Sequence, residues 1–353
     1  MRYIIGLLVT AVHLAVLLLA LRSCSPQDGM PGREGFDGSD GDRRVENGRV
    51  LEKGNNRNAA SGADDTRLIP DSYADAPLDL PPKVAAAADR CNTGIMLELE
   101  PIRILWRRNA DRPVPVASLT KMMTALLLME KITADSAITL ETPVEITKEA
   151  YAVGGSQVYL DPREVFTLDE LLKCMMIHSA NDAAYMIAQF IGGTAEEFVQ
   201  DMNRRARQLT MKHARFFNPH GLPVSGQKAE NTATALEMAY LAGRLLTYPQ
   251  VVQWSSTWAD SIEKDDGRLR KLARRALVNR NALVNPNHGV AGVNGMKTGY
   301  TADAGYCVAA TCQRNDRALS VVVTGCPSSS ERNRLVAGLI AAAFGDAAGE
   351  GAL

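Results

Sequence analysis

A serine and a lysine three positions apart, in Ser118-Leu119-Thr120-Lys121, have the makings of an acyl-transfer centre. On a helix, positions i and i+3 share a face, so the Lys121 amine would stand over the Ser118 hydroxyl. A hydroxyl is a poor nucleophile until a base takes its proton. A neutral lysine can be that base when burial and a second cation lower its pKa. At a first helical turn, free backbone N–H groups and the dipole would also favour a developing oxyanion. A second triplet, Ser179-Ala180-Asn181, offers a hydroxyl to relay a proton to a leaving amine and an amide to hold a substrate carbonyl. A third, Lys297-Thr298-Gly299, sets a cation and a hydroxyl beside a glycine. At a strand edge that pair suits a carboxylate, and the glycine lets a ligand approach the backbone closely. Taken singly, Ser118 reads better as a helix N-cap, the second triplet as a polar turn and the third as chance. Their order is more informative. Steps of 61 and 118 residues separate Ser118, Ser179 and Lys297, which leaves room for two helical layers between the first and last strands.

The elements that must position these residues follow from periodicity. Ile95–Leu99 reads as a strand and Ile102–Arg107 as its hairpin partner, before a loop closed by Pro113 and Pro115. Ser118–Ile132 reads as a helix that is apolar almost all round, which belongs at the centre of a domain. Thr167-Leu168-Asp169-Glu170 is a capping box opening another helix, and Thr194-Ala195-Glu196-Glu197 reads as a second. Asp182 is placed to cap the helix after the Ser179 triplet, which puts that triplet on an interhelical loop. Gly305–Thr311 and Leu319–Thr324 flank Arg314-Asn315-Asp316-Arg317 as an antiparallel hairpin, and a last helix runs from Glu331 to Phe344. Strands first and last with helices between predict an α+β domain whose terminal segments share one antiparallel sheet.

Composition narrows the rest. The chain has 353 residues, 46% of them apolar, and a net charge of −1, so no global field points to nucleic acid or an anionic surface. Its five histidines form no H-E-x-x-H or Cys/His cluster, so neither a metal nor another cofactor is expected. Ile4–Leu21 is almost wholly apolar and nears the length that spans a bilayer. A membrane anchor over residues 1–23 is therefore expected. A cleaved signal, or a lipoprotein signal ending at Leu21-Arg22-Ser23-Cys24, would export the chain equally well. Residues 24–82 have linker composition, and Gly29, Gly32, Gly35, Gly38 and Gly41 within them recur at every third position. A flexible spacer is the simpler reading than so short a collagen-like triple helix. The folded domain is placed at 83–346, with a tail at 347–353. Six cysteines form neither a metal pattern nor a dense disulfide framework and read mainly as small buried hydrophobes.

The motif set resembles the D-alanyl-D-alanine carboxypeptidase family, the low-molecular-weight penicillin-binding proteins. The likeness runs through Pro115–Thr124, His178–Ala184, Phe217-Asn218-Pro219-His220-Gly221-Leu222, Asn294–Thr301 and Ala304-Gly305-Tyr306, and covers roughly residues 84–345. It implies a serine β-lactamase-like fold, an antiparallel sheet flanked by helices plus an all-helical region, with the site at their junction. It also implies removal of the terminal D-alanine from peptidoglycan stem peptides, with β-lactams as covalent inhibitors, outside the cytoplasm of a bacterium. Carried over, Ser118 is the nucleophile, Lys121 its base and Ser179 a proton relay. Asn181 binds the peptide, Lys297 and Thr298 the terminal carboxylate, and Gly299 lies between them and Tyr300. The N–H groups of Ser118 and Tyr300 form the oxyanion hole. Arg332 resembles an arginine that helps hold the carboxylate, although an exposed arginine at a helix N-terminus would explain it too. Asp161-Pro162-Arg163-Glu164 departs from the family by carrying Arg where a turn glycine is usual. Many relatives are anchored at the C-terminus, whereas here tethering is expected at the N-terminus. A β-lactamase is disfavoured by the lack of a Glu-x-x-x-Asn element between Asn181 and Lys297. A non-catalytic wall-binding module is disfavoured by the presence of every reactive group. An endopeptidase or transpeptidase differs only in which amine leaves or attacks.

Overall fold

The computed structural model of the protein describes residues 74–346, apart from 225, 227, 228 and 266–271. The apolar N-terminal segment, Cys24, the Gly-X-Y run and the tail at 347–353 lie outside the described residues. In chain order the elements begin with β1 (Ala74–Asp75), α1 (Pro82–Ala88), β2 (Thr93–Leu99), β3 (Ile102–Arg108) and β4 (Val114–Pro115). A 3-10 turn (Ala117–Thr120) leads into α2 (Lys121–Ala134), followed by β5 (Pro143–Glu145), α3 (Lys148–Ala152) and β6 (Val165–Thr167). Next come α4 (Leu168–Ile177), α5 (Asn181–Gly192), α6 (Ala195–Gln208), β7 (Thr232–Ala233), α7 (Ala235–Leu245) and α8 (Pro249–Ser256). The chain then forms β8 (Ala259–Asp265), β9 (Leu272–Val278), β10 (Val293–Thr301), β11 (Gly305–Arg314), β12 (Arg317–Cys326) and α9 (Ser329–Phe344).

The main sheet has six strands in the order β1-β3-β2-β12-β11-β10, antiparallel except where β1 runs parallel to β3. First and last strands share one sheet, as the expected α+β architecture requires. Residues 74–78, in the stretch read as linker, lie along β3, where Ala76 and Leu78 N–H groups donate to the Ile104 and Leu105 carbonyls. Such edge pairing rests on backbone groups and leaves little mark in composition. In β2, Ile95 and Leu97 face the cluster shared with α2, α4, α5 and α7, while Met96 faces the cluster under α1 and α9. Both faces are buried, so the strand reads as a nearly continuous apolar run. The β11–β12 hairpin closes through Asn315, which adopts a left-handed φ of 52°, as tight two-residue turns favour. α2 is buried at Met122, Met123, Ala125, Leu126 and Leu128, and each large side chain removed from water there contributes about 1.5–3 kcal/mol.

Several local expectations are corrected. Ser118 lies on the 3-10 turn that precedes α2, so the serine sits ahead of the α-helix and not on its first turn. Thr167 and Glu170 form the full capping box. At Thr194 only half of one forms: its hydroxyl accepts from Glu197 N–H, while the Glu197 carboxylate accepts from the Thr194 hydroxyl and not from the backbone N–H. A second complete box, Thr234 with Glu237, opens α7. Asp182 is not an N-cap. It lies inside α5, after Ala180 as cap, and its carboxylate accepts from the N–H groups of Val158, Leu160 and Ala183. Arg163 adopts no left-handed backbone, so the Asp161–Glu164 turn forms without glycine, closed by Glu164 N–H on the Asp161 carbonyl.

Cys91 and Cys326 form a disulfide across 235 residues, while Cys174, Cys307 and Cys312 are buried and reduced. The bridge joins the entry of β2 to the end of β12, just ahead of α9. Closing so long a loop removes much unfolded-chain entropy. Replacing Cys326 by alanine is expected to lower stability by about 2–4 kcal/mol, read as a fall in the urea midpoint that reductant reproduces in the wild type.

Candidate active site

The 3-10 turn that carries Ser118 is fixed on both sides. β4 pairs with β7 just before it, the Val116 N–H donates to the Asn231 carbonyl, and Ala117 takes a left-handed φ of 46°. That conformation costs about 1–2 kcal/mol for a residue with a Cβ, and such strain persists where surrounding contacts over-determine the backbone. Gly221, at φ +90°, makes room for the turn, because a Cβ there would lie 2.0 Å from the Ala117 carbonyl oxygen.

Lys121 is fully buried one turn on. Its Nζ lies 3.0 Å from Ser118 Oγ, 2.7 Å from Asn181 Oδ1 and 2.7 Å from the His220 carbonyl oxygen. Asn181 is oriented by its Nδ2, which donates to the Gly154 carbonyl at 2.8 Å and leaves Oδ1 for the lysine. The arrangement suits a neutral amine. All three neighbours are oxygens in hydrogen-bond reach of Nζ; when the amine is neutral, its two N–H groups can serve the two carbonyl oxygens and leave the lone pair facing the Ser118 hydroxyl. Burial lowers the Lys121 pKa well below the ordinary amine range, and the Lys297 charge lowers it further, against a smaller opposing pull from Asp182. Burial pushes His220 down to about 3, so its imidazole is neutral at pH 7 and its Nδ1 accepts from Leu222 N–H.

Ser179 sits between α4 and α5 with φ 64°, 4% exposed, and Ala180 N–H is tied back to the Cys174 carbonyl. Asn181 N–H donates to the Ser156 carbonyl at 2.7 Å. The loop 153–164 thus holds Asn181 at both its backbone and its side chain.

β10 is the sheet's edge strand and approaches Ser118 at Gly299. A Cβ on Gly299 would lie 3.0 Å from the Ser118 nitrogen and 3.1 Å from the Val116 oxygen, a tight fit that glycine avoids where the strand closes on the serine's amide. Lys297 and Thr298 are buried beside it, and Lys297 Nζ donates to the Thr298 carbonyl at 3.0 Å. Burial, then the charges of Arg332 and Arg280, bring the Lys297 pKa down to about 7. Tyr300 is 58% exposed and packs on Tyr306 with ring centroids 4.5 Å apart.

Arg332 is buried, which removes the alternative of an exposed helix-terminal arginine. From α9 it reaches the Cys307 carbonyl with Nη1 and Asn333 Oδ1 with Nε and Nη2, close enough for its charge to act on Lys297. Arg280 is a further cation that sequence reasoning missed. It is exposed, yet its charge adds to the burial that depresses both Lys297 and His178. Its position is set by buried neighbours: Asn279 Nδ2 binds the Ser255 and Thr257 carbonyls, and Asn281 Nδ2 binds the Gly295 carbonyl. The structure therefore brings Lys121 into contact with both Ser118 and Asn181, sets Gly299 against the Ser118 turn, and gathers Lys297, Arg332 and Arg280 into a positive cluster. Chemically, the arrangement is suited to activating a hydroxyl and to docking an anion.

Comparison with known proteins agrees. A family profile for D-alanyl-D-alanine carboxypeptidases matches residues 82–328. The D-alanyl-D-alanine carboxypeptidase DacF of Bacillus subtilis is 33% identical over 262 residues, covering 74% of this chain and 64% of the relative. The D-alanyl-D-alanine endopeptidase of Pseudomonas aeruginosa is 30% identical over 222 residues, covering 63% and 66%. The crystal structure of the carboxypeptidase DacD from Francisella tularensis superposes with a TM-score of 0.65 at 26% identity, covering 72% of this chain and 70% of that one. Ampicillin-bound penicillin-binding protein D2 from Listeria monocytogenes gives 0.62 at 25% identity, covering 72% and 98%. The chain spans 64% and 66% of the length of these two curated relatives. With a profile that spans most of the chain and the same fold in the solved relatives, this chain belongs to the D-alanyl-D-alanine carboxypeptidase family.

Proposed function

We propose that the protein is a serine-type D-alanyl-D-alanine carboxypeptidase acting on peptidoglycan stem pentapeptides. The observation that carries this reading is the Lys121 amine, 3.0 Å from Ser118 Oγ with two carbonyl oxygens for its own protons. In this reading Ser118 Oγ attacks the carbonyl of the penultimate D-alanine while Lys121 takes its proton. The negative charge falls on an oxygen between the N–H groups of Ser118 and Tyr300, where a preorganised donor contributes about 3–4 kcal/mol. The Ser179 hydroxyl relays a proton to the leaving amine, and free D-alanine departs. Water then cleaves the Ser118 ester. Asn181 holds the acyl-side peptide. Lys297, Thr298 and Arg332 take the terminal carboxylate, and Arg280 lies where it would reinforce them. A β-lactam would enter by the same attack and remain as a long-lived ester, a reading supported by the ampicillin-bound relative.

The folded domain, which includes the sheet-edge residues 74–78 and the helix from Pro82, would work outside the cytoplasmic membrane, joined through the preceding spacer to an N-terminal anchor. Among the described residues no helix is long and apolar enough to cross a membrane.

The test uses the full chain in detergent. The expected result is stoichiometric D-alanine release from a stem pentapeptide, and an intact mass raised by one penicillin that maps to Ser118. Protein that does neither sinks the proposal. Faster cleavage of a crosslinked dimer than of the pentapeptide would make it an endopeptidase, the activity in the name of the Pseudomonas relative.

A further inference from the structure

Six residues other than glycine adopt a left-handed φ among the described residues, and five are accounted for. Asn109 and Asn315 lie in turns, Thr210 follows the end of α6, and Ala117 and Ser179 belong to the site. The sixth is Tyr159, at φ 56° and 65% exposed. An aromatic side chain is a poor occupant of that backbone region and gains nothing from burial here.

The surrounding contacts hold it there. The N–H groups on either side, Val158 and Leu160, donate to Asp182 Oδ2 at 3.1 and 3.2 Å. The Val158 and Tyr159 carbonyls accept from Arg275 at 2.9 and 3.2 Å, and Arg275 is in turn bridged to Glu164 at 2.6 Å. The peptide groups around Tyr159 are clamped by an acid from α5 and a base from β9, so the ring is held toward solvent. The same loop supplies the Gly154 and Ser156 carbonyls that fix Asn181. Tyr151, half-exposed, stands beside it, its carbonyl accepting from Gln157 Nε2.

We propose that Tyr159 is a specificity-determining contact for the part of the substrate upstream of the scissile bond. This rests on the carboxypeptidase reading. The substrate's carboxylate end is drawn to Lys297 and Arg332, so its acyl end must leave Ser118 along the other wall, which is the Asn181 loop. An exposed ring on a clamped backbone there offers an apolar face to the methylene-rich side chain of an extended peptide. The ring touches no reacting atom, and its effect is on binding.

The test compares two substrates in the full chain. One is a stem pentapeptide with L-lysine at its third position, and the other is N-acetyl-D-Ala-D-Ala, which lacks the upstream residues. Tyr159→Gly is expected to raise KM for the pentapeptide about tenfold with kcat kept, and to leave the short substrate unchanged. Glycine relieves the left-handed backbone, so this variant should melt no lower than the wild type. Tyr159→Phe should behave as wild type toward both. Equal losses on both substrates would mean that the loop merely positions Asn181 and would overturn the inference, as would no loss on either. A wild type that cleaves neither substrate would instead overturn the carboxypeptidase reading, and this inference with it.

Discussion

Lys121→Ala is expected to slow acylation of Ser118 by roughly 10²–10⁴-fold, the range that a positioned general base contributes. Ser118→Ala should abolish the ester altogether, and the double variant should be no worse than Ser118→Ala alone, because groups that act as one unit are not additive. The pH dependence identifies the lysine. Lys121 acts only when neutral, so the acylation rate should rise with pH through a group depressed below the usual amine range by burial and the Lys297 charge. Stability gives an independent check. The unfolded lysine holds its proton up to about pH 10.4, whereas the folded one gives it up earlier. The unfolded state therefore binds more protons in that window, and wild-type stability rises with pH across it. Lys121→Met lacks this term, so any stability advantage over the wild type should shrink as pH approaches about 10. Acylation that stays flat across about pH 6–10, with the fold intact, would rule Lys121 out as the base.

The residues legible in the sequence were those whose chemistry fixes their type. A hydroxyl with an amine three positions on, and a cation beside a glycine, are short patterns that can be read without tertiary information, as at Ser118–Lys121 and Lys297–Gly299. The capping box at Thr167 and the two-residue hairpin at Asn315 were legible for a similar reason, since both are local hydrogen-bonding devices. What escaped is tertiary. His220 contributes a backbone carbonyl to Lys121, which any residue could supply. Asp182 looked like a cap because its type suits one, but its partners are amides more than twenty positions back in the chain, at Val158 and Leu160. Arg280 resembles any surface arginine until β10 and α9 bring Lys297 and Arg332 beside it. The Cys91–Cys326 bridge was one pairing among many that six cysteines allow, and only the sheet, which sets β2 against β12, selects it.

Lys297→Ala should lower kcat/KM for the pentapeptide by about 10²–10³-fold, since truncating one partner of a desolvated ion pair costs about 2–5 kcal/mol. Two separate losses contribute, and they can be told apart. The first is the grip on the substrate carboxylate, which Arg332 and Arg280 retain only in part. The second is the field on Lys121. Without a neighbouring cation its pKa moves back toward that of an ordinary amine, so the rising limb of the acylation profile should shift to higher pH. The wild-type profile has an opposite limb as well. Lys297 must be cationic to bind the carboxylate, and in the free protein its pKa is about 7, so kcat/KM should fall as pH rises past neutrality. A bound carboxylate favours the charged amine, so the corresponding limb in kcat should lie higher. The two lysines repel each other, and the limbs therefore belong to the pair and not to either residue. In Lys297→Ala the falling limb should disappear from kcat/KM while the rising one moves up. A variant that loses affinity yet keeps both limbs in place would show that the charge on Lys297 does not tune Lys121, and that the base is set by burial alone.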